Sequence, residues 1–174
     1  QQQTSVNLWG KASPSRQVKV ITSWNKKKYV TQADAAGKWK IQVATPSAGG
    51  PFEITFDDGE TTTLKNILIG EVWFCSGQSN MEMPVKGFHR QPVEGAQDVL
   101  VKARKETPIR MFTVKKNPSP VPLDTCTGVW NEHTPEGVAE TSAAAYFFAR
   151  YLNEVLDVPV GLMISDWGGT RVQA

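Results

Sequence analysis

The sequence of 174 residues predicts a β-sandwich-like module over residues 1–68. Residues 69–174 are expected to form part of an α/β/α domain, three layers built around a parallel sheet. Three observations carry that expectation. Residues 5–68 hold short stretches of alternating hydrophobicity separated by turn residues, without helical periodicity, which is the pattern of a small two-sheet module. Residues 72–75, 109–114 and 160–164 are apolar runs rich in β-branched and aromatic side chains, as strands covered on both faces require. Between those runs, residues 93–105 and 144–156 have helical spacing. Strands alternating with helices specify a parallel sheet between helical layers.

In the first module, Val18-Lys19-Val20-Ile21 is apolar with one polar interruption, and Trp39, Ile41 and Val43 fall on one face of a strand because side chains alternate along extended chain. Residues 52–56 alternate in the same way. Asp57-Asp58-Gly59-Glu60 supplies a hairpin turn centred on Asp58-Gly59, and Ala48-Gly49-Gly50-Pro51 reads as a second break. The one basic run, Lys26-Lys27-Lys28, reads as an exposed hairpin end. The join at residues 64–69 is apolar and has no Gly/Ser linker.

In the second part, the strand at 71–75 runs into a small polar turn. Residues 81–91, with Pro84 and Gly87, read as loop. Val93, Ala96, Leu100 and Ala103 recur at helical spacing, and Pro108 stops that helix. Residues 115–137 carry Pro118, Pro120, Pro122 and Pro135 and no periodicity. A connection of that length in a compact domain is functional or mobile. Thr141 or Ser142 can cap the next helix through its hydroxyl, whose stripe is read as Phe148, Leu152, Val155 and Leu156. Pro159 prevents continuation. The apolar strand 160–164 then ends in Ser165-Asp166-Trp167-Gly168-Gly169-Thr170.

Composition excludes several classes. A net charge of +2 is too small to imply a nucleic-acid partner. The apolar runs are too short to span a bilayer. Two cysteines, Cys75 and Cys126, make no disulfide framework, and Cys75 reads as a small core residue. No zinc-type Cys/His spacing occurs.

The chemistry is concentrated after the strand at 71–75. A buried strand ending in Ser76-Gly77-Gln78-Ser79-Asn80 puts one side chain at the carboxyl edge of a sheet, where open α/β sheets carry their sites. With Gly77 two residues before it, Ser79 has the spacing of a nucleophile elbow, although Met81 stands where Gly-x-Ser-x-Gly needs its second glycine. On local grounds, serine in such a turn is more often a turn former. Gly168-Gly169-Thr170 can turn backbone N–H groups toward a ligand. Its plainer reading is a strand-to-helix turn with Thr170 as cap. Gln78 and Asn80 either hold the turn or touch substrate. Trp167 offers an aromatic face for a sugar, and Arg171 a guanidinium for a carboxylate.

Gly70-Glu71-Val72-Trp73-Phe74-Cys75-Ser76-Gly77-Gln78-Ser79-Asn80-Met81-Glu82-Met83-Pro84 resembles the first conserved block of the sialate O-acetylesterase family, one of the SGNH-type esterases. Gly37-Lys38-Trp39 and residues 48–52, 142–150 and 158–170 resemble further segments of that family in the same order. The resemblance implies that Ser79 is the nucleophile, its own N–H the first oxyanion donor, and Gly169, alternatively Gly168, the second. Gln78, Asn80, Trp167 and Arg171 are then the substrate-binding candidates. It implies removal of O-acetyl groups from sialic acids through an acetyl-enzyme, without cofactor. The alternatives are an esterase for acetylated xylan or another acetylated glycan, and a non-catalytic module that binds a glycan or a partner.

In the family, the catalytic histidine belongs to an Asp-x-x-His segment, and a Gln-Gly-Glu segment adds a further oxyanion donor. Both lie downstream of Gly-Gly-Thr, and this sequence ends at Ala174 before either. His89 and His133 do not match the family position and read as loop residues. The expectation is therefore an N-terminal part of the esterase, its His and Asp supplied by a C-terminal remainder or a second chain. Family membership implies a secreted, periplasmic or lysosomal protein whose signal peptide has been removed, and a start at Gln1 without Met is compatible with that.

Overall fold

A computed structural model describes residues 1–171. The chain divides into two compact units, Gln1–Gly70 and Glu71–Ala174. The first is all β, with strands β1 (Ser5–Lys11), β2 (Gln17–Thr22), β3 (Lys28–Gln32), β4 (Lys38–Ala44), β5 (Gly49–Asp57) and β6 (Thr61–Ile69). β1 pairs with β4, and the other four form a sheet in the order β3-β2-β5-β6. All of these pairings are antiparallel. Period-two patterning decides which face is inside: Val18, Val20 and Thr22 of β2 are buried while the residues between them are not. Leu8, Trp39 and Ile41 from the two-stranded sheet share one core with Val18, Val20, Ile54 and Phe56 from the four-stranded sheet.

The hairpin at Asp58-Gly59 joins β5 to β6. Gly59 N–H donates to the Asp57 carboxylate at 3.0 Å, and Gly59 has φ +115°, which a side chain would resist. Gly49-Gly50-Pro51 does not break the strand as the sequence reading expects. It begins β5 and shifts the register between Gly49 and Phe52, a bulge of the kind small residues permit. Lys26 and Lys27 lie in the turn between β2 and β3, and Lys28 opens β3.

The second unit runs β7 (Glu71–Gly77), α1 (Ser79–Glu82), α2 (Ala96–Lys102), β8 (Ile109–Val114), β9 (Gly128–Glu132), α3 (Pro135–Ala139), α4 (Ala143–Leu156) and β10 (Val160–Asp166). Its sheet has the order β7-β10-β8-β9. β10 is parallel to both β7 and β8, and β9 is antiparallel to β8. Ile109, Met111, Val160, Leu162 and Ile164 line one face and pack against Val85, Val99, Val138, Tyr146 and Ala149. That face therefore meets the helices. The register sets Phe74, Met163, Phe112 and Trp130 in a row across all four strands on the opposite face. There Phe74 is 70% and Trp130 61% exposed. One of the two helical layers the sequence predicts is thus present among the described residues.

Three sequence expectations need correction. β7 is an edge strand, so Val72, Trp73 and Phe74 are exposed and only Cys75 is buried. The apolar stripe of α4 is phased differently from the one read: Ala143, Ala145, Tyr146 and Ala149 are buried, while Phe148, Val155 and Leu156 are exposed. Alanines let the helix backbone lie close to the sheet, so the largest side chains need not mark the buried face. The long connection after β8 contains a strand, β9, and a short helix, α3. The α4 cap is Ser142, whose hydroxyl oxygen accepts from Ala145 N–H at 3.3 Å. Cys75 and Cys126 are free thiols, the first buried and the second exposed. Among the described residues no helix is long and apolar enough to cross a membrane.

Candidate active site

Because β7 and β10 are parallel neighbours, their carboxyl ends coincide. Asp166 is in register with Gly77, and Trp167 N–H extends the ladder by donating to Gly77 O at 3.1 Å. The loops that leave these two strands therefore lie side by side, although they are far apart in sequence. α1 opens at Ser79. Its N–H donates to Gln78 Oε1 at 3.2 Å, and its hydroxyl donates to the same oxygen at 2.9 Å. From the second loop, Gly169 N–H donates to that oxygen at 3.4 Å. Three donors thus converge on one neutral carbonyl oxygen beside an exposed serine.

The neighbouring Gly168 N–H points elsewhere and donates to Glu82 Oε2 at 2.6 Å. The two glycines are needed for different reasons. Gly169 has φ +78° with open space where a Cβ would stand, so its requirement is conformational. A Cβ on Gly168 would overlap the Glu82 carboxylate while standing in ordinary contact with Ser79 Oγ at 3.7 Å, so a side chain there displaces Glu82 from the Gly168 N–H.

Glu82 also forms an ion pair with Lys116, which follows β8. The Lys116 ammonium beside it, helped by Gly168 N–H, holds the Glu82 carboxyl below its ordinary range. Lys116 Nζ lies 6.0 Å from the centre of the Trp167 ring. Lys116, Trp167 and Asp166 line an open cavity of about 400 Å³ at the ends of β7, β8 and β10, whose wall includes residues of the 115–127 loop. Burial pushes the Asp166 carboxyl up, with Lys116 acting against it.

Ser76, Gly77 and Thr170 line the same cavity, flanking Ser79 and Gly169. Ser79, Gln78 and Gly169 stand beside the cavity rather than in its wall. Asn80 and Arg171 are exposed and are not among its lining residues. Thr170 Oγ1 donates to Trp167 O at 2.7 Å and closes the turn. The helix start expected after Thr170 lies outside the described residues.

Neither histidine serves Ser79. His89 is exposed in the turn bridged by Phe88 and Gln91. His133, read as a loop residue, follows β9 but is buried, at 5% exposure. Its Nε2 lies 3.0 Å from Tyr146 OH, and its Nδ1 lies 3.2 Å from Arg104 N and 3.1 Å from Arg104 O. Both ring nitrogens are engaged in either tautomer. Among the described residues no three His, Cys, Asp or Glu side chains gather in a way that could hold a metal ion.

Glu82, Lys116 and Asp166 escaped the sequence reading. Glu82 carried a usable signal, since it stands three residues after Ser79 and a helical turn brings positions three apart onto one side. Lys116 and Asp166 sit at the carboxyl ends of two strands, where parallel sheets carry their chemistry. Nothing local distinguishes them from other charged residues at strand ends.

No family model matches the chain. Sialate O-acetylesterase of Mus musculus is 30% identical over 183 residues, covering 95% of this chain and 33% of the mouse protein. The protein of that name in Homo sapiens is 29% identical and covers 96% of this chain. The chain thus resembles the sialate O-acetylesterases over nearly all of its length. This chain spans about a third of the length of those curated relatives, by the covered shares of 33% and 34%. A carbohydrate acetylesterase from Xanthomonas citri, known as a crystal structure, superposes with a TM-score of 0.89 at 31% identity. The match covers 99% of this chain and 39% of that one, so likeness to the acetylesterases extends through both units.

Proposed function

We propose that this chain is the nucleophile-bearing part of a serine esterase that removes O-acetyl groups from sialic acids. The observation that carries the reading is the convergence of Ser79 N–H, Ser79 O–H and Gly169 N–H on one carbonyl oxygen. In the resting protein that oxygen belongs to Gln78. An acetyl ester whose carbonyl takes its place lies against the Ser79 hydroxyl, with two backbone donors aimed where negative charge develops. Preorganised donors of this kind stabilise an oxyanion strongly because they need not reorient during the reaction.

In this reading Ser79 Oγ attacks the acetyl carbonyl carbon as a base removes its proton. The tetrahedral oxyanion rests on Ser79 N–H and Gly169 N–H. It collapses, the C–O bond to the sugar breaks, and the sugar oxygen leaves with the proton held by the base. Water, activated by the same base, then attacks acetyl-Ser79 and releases acetate. With His133 fully engaged and His89 in a separate turn, the base is assigned to a histidine oriented by an aspartate outside this chain, from a further part of the polypeptide or a second chain. Trp167 and Lys116 offer the cavity an aromatic face and a cation; Gln78, Asn80 and Arg171 are the remaining substrate contacts proposed. The first unit is read as a β-sandwich and the second as the beginning of an SGNH-type α/β/α domain. A second helical layer would cover Phe74 and Trp130. Action outside the cytoplasm, in a secreted, periplasmic or lysosomal setting, belongs to the same proposal.

A second reading, favoured by the likeness to a carbohydrate acetylesterase, keeps the chemistry and changes the sugar. The full-length protein should therefore be offered O-acetylated sialic acid and acetylated xylan in parallel, with acetate release measured. Faster release from the sialic acid supports the first reading. Faster release from xylan supports the second. Glycan binding without release of acetate from either substrate points to a non-catalytic module.

A further inference from the structure

Gly168 and Gly169 carry successive N–H groups, and only that of Gly169 faces the acceptor at Ser79. We infer that Glu82 is a positioning residue for ester hydrolysis: its carboxylate takes the Gly168 N–H and so turns the Gly169 N–H toward the nucleophile. The inference rests on the esterase reading of Ser79.

Four observations support it. Glu82 is in the same short helix as Ser79, and its backbone N–H donates to Gln78 O at 2.9 Å. Its main chain is therefore fixed relative to the nucleophile. Its bond to Gly168 N–H, at 2.6 Å, has the length of a strong charge-assisted contact. The other carboxylate oxygen is held by Lys116, so three strand ends, those of β7, β8 and β10, meet at this one side chain. Position 168 is also a glycine that leaves room for the carboxylate, since a Cβ there would collide with it. Without Glu82 the Gly168 N–H has no acceptor, and the loop is free to present either amide to the site. Displacement by about 1 Å in such machinery is costly, because oxyanion donors act only at hydrogen-bonding distance.

The test uses the full-length protein and three variants alongside Ser79→Ala. Glu82→Ala is expected to lower kcat for an acetyl ester about 10- to 100-fold, up to the effect of losing one oxyanion donor. KM should change by no more than about twofold, because the contact acts in the transition state. Glu82→Gln keeps an acceptor for Gly168 N–H and should restore most of kcat. Lys116→Met should fall between the two. Urea unfolding of each variant separates a folding defect from a catalytic one. If Glu82→Ala does not fold, the test rests on the other two variants: a large loss of kcat in Glu82→Gln, or an unchanged kcat in Lys116→Met, overturns the positioning role. An unchanged kcat in Glu82→Ala, or equal losses in Glu82→Ala and Glu82→Gln, overturns the positioning role. Turnover retained by Ser79→Ala overturns the esterase reading itself, and the two failures are thus distinguishable.

Discussion

At the residue scale, the two adjacent glycines provide a sharp test of the site geometry. Gly169→Ala should fold, with a cost of roughly 1–2 kcal/mol for holding alanine at a left-handed φ. Its backbone donor remains, so activity in the full-length protein should fall only modestly. Gly168→Ala should lose far more activity, since its methyl group displaces the Glu82 carboxylate that takes the Gly168 N–H. Steady-state kinetics and urea midpoints for both variants check this, and the reverse order of activities would contradict the geometry.

His133 makes a separate prediction, about stability. Burial pushes its imidazole below the ordinary value of 6.5, so the folded chain prefers the neutral ring. As pH falls below 6.5 the unfolded chain takes up the proton first, and stability declines until the folded pKa is passed. Urea midpoints measured from about pH 7.5 to about pH 5 should therefore fall more steeply for the wild type than for His133→Gln. Parallel slopes would show that another group is responsible.

At the element scale, the sheet of the second unit has one face packed against helices and one that is not. Phe74, Met163, Phe112 and Trp130 form an apolar row across that second face, with the Phe112 and Trp130 rings 5.1 Å apart. Exposed rows of this kind drive association. The purified 174-residue chain should bind a hydrophobic dye and self-associate, and Phe74→Glu with Trp130→Glu should suppress both without unfolding the sheet. Light scattering and dye fluorescence report the result. A monomeric wild-type chain that leaves the dye dark would mean that the face is covered within this chain.

Most elements were legible from periodicity, and the exceptions share a cause. Alternation identifies β4 and β5, because period-two patterning follows directly from strand geometry, and the Asp58-Gly59 turn chemistry identifies the hairpin between β5 and β6. The α4 stripe was misread because hydrophobicity scales weight Phe and Leu above Ala. Packing against a flat sheet rewards the small residues at 145 and 149 instead. β9 was missed because prolines dominate its approach and its pairing partner, β8, lies outside any local window. The exposure of β7 depends on which strand is at the edge, a property of topology that composition does not carry.

At the scale of the whole molecule, the parallel neighbours β7 and β10 explain why the two polar segments meet. Ser79 and the Gly168-Gly169-Thr170 segment were visible in the sequence because each follows an apolar strand. Their convergence on one oxygen was not, since it depends on β10 lying between β7 and β8. Lys116 is apparent only from its contacts across that junction, whereas Glu82 stands one helical turn after Ser79. Every role assigned to the site depends on attack by Ser79 on an acetyl ester. Acetate release from an O-acetylated sialic acid by the full-length protein, measured beside Ser79→Ala, tests it most directly. Turnover by the wild type is expected, with a loss of about 10⁴-fold or more in the variant, the scale seen when a serine nucleophile is removed. Equal turnover by the two proteins would contradict it.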